Sequence, residues 1–365
     1  MWVTLLPMEL VATLMTPTAE SRGPLWAATD ALVDAAPTLA ELRWHRLHLL
    51  AAERWREQGK EIPRELEQDE RLAGVRLTAA AMLLERIRDA YDGRWALIKG
   101  YEVAARFPNP LTRPFADVDL LAEDALGAHR ALRAAGFVEI GDPERYVKIH
   151  HLRPLSLPGL MVPVEIHHAP KWPRGLAPPP TEALLAAAVP SATGIPGVTT
   201  LDAADHALVL AAHSWAHLPL RRLLELIDTA TLAREADPND IEARAEACGF
   251  QRVWSTTKAS VDSLFYGAPR SSAQRLWARH LADVRERTVF ESHVERWLSP
   301  FWSLPLARAT SALGSTARAE IGPAEGETWR GKLARMRRAL RNASASRSEH
   351  ERQLGFDAHR RRKGR

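Results

Sequence analysis

The spacing of apolar residues predicts helices at the start of the chain. Leucines recur at intervals of seven, three and seven residues, the spacing of one helix face, and this predicts helices over 26–58: Leu32, Leu39, Leu42 and Leu49. A pattern of the same period predicts a long helix over 65–92, ended by Asp92 and Gly93. Its expected apolar stripe is Leu72, Val75, Leu77, Met82, Leu83, Leu84 and Ile87.

The pattern changes after this helix, and short apolar runs predict strands over 95–98, 117–122 and 137–140. A helix over 125–135 separates the last two, between Asp124 as its N-cap and Gly136 after its end. Residues 146–157 and 161–167 flank Pro158-Gly159 and predict a hairpin. After a proline-rich loop, the pattern from 202 to about 340 is again helical, so we expect strands only within 94–168.

The order of these elements predicts an α+β fold, in which a mixed β-sheet core is flanked by N-terminal and C-terminal helical regions. We expect four segments along the chain. They are a helical region at 1–92, an α/β core at 93–170, a helical domain at 171–340 and a basic, disordered tail at 341–365.

Charge is concentrated at the C-terminal end of the chain. Residues 330–365 hold 13 Lys and Arg against 3 Asp and Glu, a net charge of +10. The whole chain is +4, so residues 1–329 carry about −6. A basic nucleic-acid-binding face is therefore not expected on the folded part. For the tail, a solvated end is the default, and RNA, anionic lipid or an acidic partner protein is the alternative contact.

Composition indicates a globular protein of the cytoplasm. Of the 365 residues 46% are hydrophobic, enough for a sizeable core, and no apolar run approaches the roughly 18 residues of a membrane span. Glu9 interrupts the apolar N-terminus, which lacks a charged leader, so no signal peptide is expected. The only cysteine, Cys248, allows no internal disulfide and suits a reducing compartment.

Two carboxylates alternate with apolar residues in the second predicted strand. Side chains two apart in a strand share one face, so Asp117 and Asp119 project together while Val118 and Leu120 enter a core. Neighbouring carboxylates repel unless a cation or proton lies between them, and oxygen ligands favour Mg²⁺ or Mn²⁺. An Asp-x-Asp on a solvated surface strand is the simpler interpretation. The flanking apolar residues argue against it, because internal strands rarely hold an unpaired Asp.

A third carboxylate, Glu165, interrupts an apolar strand 46 residues after Asp119. Three carboxylates on adjacent strands would bind one or two metal ions, with Glu139 as the competing third ligand.

Lys99 and Arg113 are candidate cations for phosphate oxygens, and Gly100 would allow close approach of a phosphate to the backbone. Pairing of Arg113 with Asp117 or Asp119 is an equally plausible structural role. His167 shares the face of Glu165, where contact with phosphate and simple packing are equal alternatives.

Several motifs together resemble the uncharacterised nucleotidyltransferases of the DNA polymerase β superfamily. The motifs are Leu97-Ile-Lys-Gly100, Arg113-Pro-Phe-Ala-Asp117-Val-Asp119-Leu-Leu121, Gly136-Phe137, Val164-Glu-Ile-His167 and a helical segment from His206 to His217, followed by Arg221, Arg222, Leu226 and Asp228. The resemblance covers about 30–265. Superfamily members usually carry Gly-Ser or Gly-Gly where this chain has Lys99-Gly100.

The resemblance implies a minimal nucleotidyltransferase sheet with helices around it. Asp117 and Asp119 would bind the catalytic metal, Mg²⁺ or Mn²⁺. Glu165 would be the third carboxylate and the base for the acceptor hydroxyl. A nucleoside triphosphate, with ATP favoured as the commonest donor, would lie over Gly100, near Lys99, Arg113 and His167. The reaction would transfer a nucleoside monophosphate to a small-molecule or peptide or protein acceptor and release pyrophosphate.

Two other functions remain open from the sequence. A catalytically idle member would bind a nucleotide or peptide as an adaptor in a biosynthetic or defence assembly. A glycosyltransferase would also use Asp-x-Asp, but the strand-rich region is short for its larger nucleotide-binding domain.

His213 and His217 lie at i and i+4, the spacing of a zinc pair, although hydrogen-bonded structural histidines are favoured in so apolar a helix. A further hypothesis places both histidines and Asp228 on the acceptor side of the cleft.

Overall fold

The computed structural model describes residues 23–147, 149–323, 327–341 and 343–346. The N-terminus, where no signal peptide is expected, and nearly all of the tail expected at 341–365 lie outside these ranges. Helices form at both places predicted near the start of the chain. They are α1 (Gly23–Ala35), α2 (Leu39–Trp44), α3 (His48–Glu57) and α4 (Arg64–Ala90).

The core contains a five-stranded mixed sheet, as the sequence predicts. Its strands are β1 (Trp95–Leu97), β2 (Val118–Ala122), β3 (Val138–Glu139), β4 (Leu155–Ser156) and β5 (Val164–His167). They lie in the order β1-β2-β5-β4-β3. Only β2 and β5 are parallel, and their register pairs Asp119 with Glu165. The two carboxylates therefore project from the same face of neighbouring strands.

The opposite face of the sheet packs into an apolar core. Val118, Leu120, Val164 and Ile166 contact a cluster that includes Leu83 of α4 and Leu132 of α6 (Ala125–Ala134). The Oδ1 of Asp124 accepts the Gly127 N–H at 2.7 Å, which confirms the predicted N-cap of α6. Gly136 follows the helix with a φ of +97°, where glycine is favoured, which confirms the predicted end.

Two predictions made from the sequence were wrong, one about the extent of the strands and one about the buried face of α4. Strands also occur beyond 168, because β6 (Val189–Pro190) and β7 (Thr199–Thr200) form a separate two-stranded sheet. The side-chain hydroxyls of Thr199 and Thr200 donate to the carbonyls of Trp95 and Leu97, which attaches β7 to β1. Strands of two residues carry no detectable hydrophobic period. The stripe predicted on α4 is also partly wrong, since Val75 and Met82 are 55% and 53% exposed.

The rest of the described chain is mainly helical, as predicted. The helices are α5 (Tyr101–Ala104), α7 (Thr181–Ala186), α8 (Ala203–His217), α9 (Leu223–Ala233), α10 (Pro238–Ala247), α11 (Gln251–Phe265), α12 (Ser272–Trp277), α13 (Arg279–Ala282), α14 (Val289–Ser303), α15 (Leu306–Ile321) and α16 (Trp329–Arg341). Leu25 of α1 and Leu50 of α3 share one hydrophobic core with Leu208 of α8 and Leu224 of α9. The α+β fold is confirmed, and the four-segment division stays a prediction.

Among the described residues, no helix combines the length and the apolar composition that crossing a membrane requires.

Candidate active site

A cleft of about 360 Å³ lies where the Asp119 side of the sheet faces α8 and α9. Its volume is typical of a small-molecule site. Six of the seven predicted site residues line it: Lys99, Arg113, Asp117, Asp119, Glu165 and His167. The seventh, Gly100, is not one of the lining residues.

Asp119 is the most buried carboxylate of the cleft, with 2% of the residue exposed. His167 Nε2 donates to Asp119 Oδ1 at 3.0 Å, and Lys99 Nζ lies 3.8 Å from Oδ2. Burial alone would raise the pKa of Asp119, but the Lys99 ammonium and the His167 hydrogen bond outweigh it and hold this pKa well below its usual range. Asp119 is therefore ionised, and its Oδ2 is buried without a hydrogen-bond partner.

Glu165 lies beside Asp119 in a more open position. Its Oε2 is 3.9 Å from His167 Nε2 and 3.8 Å from His151 Nε2. Burial, together with the charges of Asp119 and Asp117, raises the pKa of Glu165 to about 7. One ligand atom from each of Asp119, Glu165 and His167 lies within 4.8 Å of the others.

The three carboxylates predicted as metal ligands all line the cleft, and their role as ligands stays a prediction. Asp117 lines the same cleft but is not part of the cluster of Asp119, Glu165 and His167. Burial and the nearby charge of Asp119 raise the pKa of Asp117, which indicates two crowded carboxylates. Glu139, the competing third carboxylate, is on β3, two strands from β5, and its Oε2 pairs with Arg153 Nη1 at 3.2 Å. Of the two candidates for the third carboxylate, Glu165 lines the cleft and Glu139 does not.

These residues fit a divalent cation. Asp119 Oδ2 is a buried anionic oxygen without a hydrogen-bond partner, and such atoms are rare unless an ion or water completes their contacts. His167 Nε2 donates its proton in a hydrogen bond to Asp119 Oδ1. His167 therefore orients the carboxylate, and Oδ2 remains available as a ligand atom. The oxygen donors suit Mg²⁺ or Mn²⁺, as the sequence predicts.

Lys99 and Arg113 are both engaged by groups of the protein itself. Lys99 Nζ lies 3.2 Å from His213 Nε2, in addition to its contact with Asp119. Arg113 Nε and Nη2 donate to the two carboxylate oxygens of Asp228 at 2.8 and 2.7 Å. The alternative that Arg113 pairs with Asp117 or Asp119 is therefore wrong, because its carboxylate partner is Asp228. Its partner is on α9, 115 positions along the chain, and no local pattern indicates it.

Gly100 has a structural reason to be glycine. Its φ is +62°, and a Cβ at this position would lie 2.6 Å from the carbonyl oxygen of Asp117. Arg113 Nη1 donates to the Gly100 carbonyl at 2.8 Å. The close backbone approach that Gly100 allows in this structure is therefore its contact with the Asp117 carbonyl. Contact between Gly100 and a phosphate stays a prediction.

The helical side of the cleft carries the predicted His213, His217 and Asp228. Burial, then the nearby Lys99, holds the pKa of His213 well below its usual range. Burial, then Lys171, lowers the pKa of His217 to about 4. Lys171 Nζ lies 2.6 Å from His217 Nε2, and a lysine beside each ring argues against a zinc pair. Within the described residues, neither histidine belongs to a candidate metal cluster.

Sequence reasoning missed three charged residues of the cleft, which are Arg46, Lys171 and Glu225. Arg46 lies between α2 and α3, far along the chain from the carboxylates, and Lys171 lies in a loop after β5. Neither position belongs to a motif.

Comparison with known families agrees with the geometry. The family model described as "Uncharacterised nucleotidyltransferase" matches residues 32–265, nearly two thirds of the chain. No curated protein matches the chain. The matched range contains the whole sheet, both carboxylate strands and the helices that close the cleft. The chain therefore belongs to this family of uncharacterised nucleotidyltransferases.

Proposed function

We propose that the protein transfers a nucleoside monophosphate from a nucleoside triphosphate, with ATP favoured, to a small-molecule or peptide or protein acceptor. The observation that supports this most is the clustering of Asp119, Glu165 and His167 on two parallel strands at a cationic cleft. Membership of the nucleotidyltransferase family supports the class of reaction. Nucleic acid is a less favoured acceptor, because residues 1–329 carry about −6.

Asp119 and Glu165 would hold a divalent metal ion, with Asp117 as a further oxygen ligand from the same cleft. When bound, Mg²⁺ or Mn²⁺ neutralises charge on the phosphate oxygens and helps to orient the reacting groups. His167 keeps Asp119 oriented through its Nε2 hydrogen bond. The ammonium of Lys99 adds positive charge beside Asp119.

The acceptor hydroxyl oxygen would form a bond to the α-phosphorus, and the bond from that phosphorus to the bridging oxygen of the β-phosphate would break. Pyrophosphate leaves with the electrons of the broken bond. Glu165 would take the proton of the acceptor hydroxyl, because it is the more open of the paired carboxylates and faces the cleft.

The adaptor alternative gains no support from the side-chain arrangement. An idle member need not retain a third carboxylate beside the first two, and Glu165 is paired in register with Asp119.

The single Cys248, free in the structure, is consistent with the proposed cytoplasmic location. An acidic partner for the basic tail is also a proposal.

Nucleotide binding measured by calorimetry tests the proposed function. ATP, GTP, CTP and UTP are titrated with and without Mg²⁺ or Mn²⁺ into the wild type, Asp117→Asn/Asp119→Asn and the control Asp262→Asn, which changes an aspartate of α11 outside the cleft. We expect metal-dependent binding of one nucleotide, lost in the double variant and kept in the control. Failure of all four nucleotides to bind would refute the transferase and favour the adaptor.

A further inference from the structure

The cleft holds a second group of cations, separate from Lys99 and Arg113. Arg46 follows α2, and Arg221 and Arg222 lie just before α9. We call these three residues the arginine triad. They come from segments about 175 residues apart in the sequence, and the fold brings them to the lining of one cleft.

The guanidinium groups of the triad have no close acidic partner among the described residues. None of the three side chains has a salt bridge to a carboxylate in the described part of the chain, and the Nε atoms of Arg221 and Arg222 are buried without a partner. Glu225 is the nearby acid. Its charge favours the ionised form of Arg222, and its Oε2 accepts the Ser214 hydroxyl at 2.8 Å. Burial, then Arg46 and Arg221, lowers the pKa of Arg222 to about 10, as expected for crowded cations.

Two members of the triad lie against one aromatic ring. The guanidinium carbons of Arg221 and Arg222 lie 4.8 and 5.6 Å from the centroid of the Trp44 ring. A cation–π contact of this kind positions a guanidinium without using its N–H donors, which stay available for a ligand.

The backbone around the triad is strained, and a hydrogen bond joins its two segments. Arg46 has a φ of +60° and Leu220, just before Arg221, a φ of +48°, a region that non-glycine residues avoid unless their surroundings impose it. His45 joins the two segments, because its Nδ1 accepts the Leu223 N–H at 3.2 Å while its Nε2 donates to the Arg285 carbonyl at 3.0 Å. Strain of this kind is concentrated at functional sites.

We propose that the arginine triad binds a phosphate group of a substrate, at a position separate from the metal-binding carboxylates. Three guanidinium groups in one place match a multivalent anion, and their planar N–H donors match phosphate oxygens in pairs. The identity of the substrate rests on the proposed function. The phosphate belongs either to the terminal phosphates of the nucleotide or to a phosphorylated acceptor.

Binding of pyrophosphate in the presence of EDTA tests the triad without any metal. Calorimetry compares the wild type with Arg221→Gln/Arg222→Gln and with the control Arg71→Gln, which changes an exposed arginine of α4. We expect at least a tenfold loss of affinity in the double variant and none in the control. If the double variant does not fold, Arg46→Gln replaces it, because Arg46 is exposed and its substitution should not disturb the fold. We expect a severalfold loss of pyrophosphate affinity in this variant. Unchanged affinity in folded variants overturns the proposal.

Two further titrations identify the source of the phosphate. If the triad binds the terminal phosphates of the nucleotide, pyrophosphate competes with the metal-bound triphosphate, and the double variant weakens triphosphate but not monophosphate binding. If it binds a phosphorylated acceptor, inorganic phosphate still binds to wild type saturated with a non-hydrolysable triphosphate. Either result supports the triad.

The two proposals fail in different ways. Wild type that binds pyrophosphate but no nucleotide keeps the triad and refutes the transferase. If the wild type binds a nucleotide with metal and the triad variants bind pyrophosphate and nucleotide as well as the wild type does, the proposed transferase function stands. The proposed phosphate site at the triad is then refuted.

Discussion

Replacement of Asp228 by Asn tests the energetic role of the Arg113–Asp228 pair. The two side chains are only 4% and 8% exposed and are joined by two hydrogen bonds of 2.8 and 2.7 Å. Removing one charge of a buried pair leaves the other without compensation, which costs about 3–5 kcal/mol. We therefore expect Asp228→Asn to lower the free energy of unfolding by about that amount, although the substitution keeps the size of the side chain.

A matched pair on the surface provides the control. Arg56 also donates two hydrogen bonds to one carboxylate, through Nη1 and Nη2 to the two oxygens of Glu70 at 2.7 Å, but its side chain is 56% exposed. Exposed ion pairs are worth about 1 kcal/mol or less, because water screens the charges. We expect Glu70→Gln to cost no more than that, so that burial alone separates the two variants.

Urea denaturation followed by tryptophan fluorescence and far-ultraviolet circular dichroism measures both free energies. The double variant Arg113→Met/Asp228→Leu should be less destabilised than Asp228→Asn, since it leaves no buried charge behind. The reasoning would be refuted if Asp228→Asn lost no more stability than Glu70→Gln.

Three further changes test other parts of the structure. Gly100→Ala should cost at least about 1–3 kcal/mol in urea unfolding, because φ is +62° and the new Cβ meets the Asp117 carbonyl; a neutral effect would contradict this geometry. Burial lowers the pKa of His45 to about 4, so its neutral form is favoured in the fold. The stability that it contributes is complete above about pH 6.5 and decreases toward pH 4 by about 3 kcal/mol. A His45→Gln variant should lack this component when urea unfolding is repeated across that range, and an identical pH profile would count against it. Asp124→Ala should cost about 0.5–2 kcal/mol by the same assay, whereas Asp124→Asn keeps the acceptor for the Gly127 N–H and should cost much less; equal losses would exclude capping.

The placement of the carboxylates was predictable from local sequence. Alternation around Asp119 is enough to put Val118 and Leu120 in the core and Asp119 on the other face, because the strand period is two whatever the tertiary fold. The start of α6 was equally local, since a capping side chain acts on N–H groups two or three residues away.

Periodicity alone did not determine which side of a helix is buried. Val75 and Met82 lie in the predicted stripe of α4 and are exposed, whereas Ala79, Ala80 and Leu83 are buried. A sequence period gives the direction of an apolar face only approximately, and the neighbours decide its limits. For α4 these neighbours are the sheet and α6, so the limits depend on contacts across the fold.

By itself, the sequence determined the fold class, the order of helices and strands as far as β5, and the face that carries Asp119 and Glu165. Only the tertiary structure decided that Arg113 pairs with Asp228 and that Arg46 joins the cleft. The physical reason is that helix and strand periods and caps arise from neighbours in the chain. The partner of a charged side chain depends instead on which distant segments pack together, and no local pattern records that.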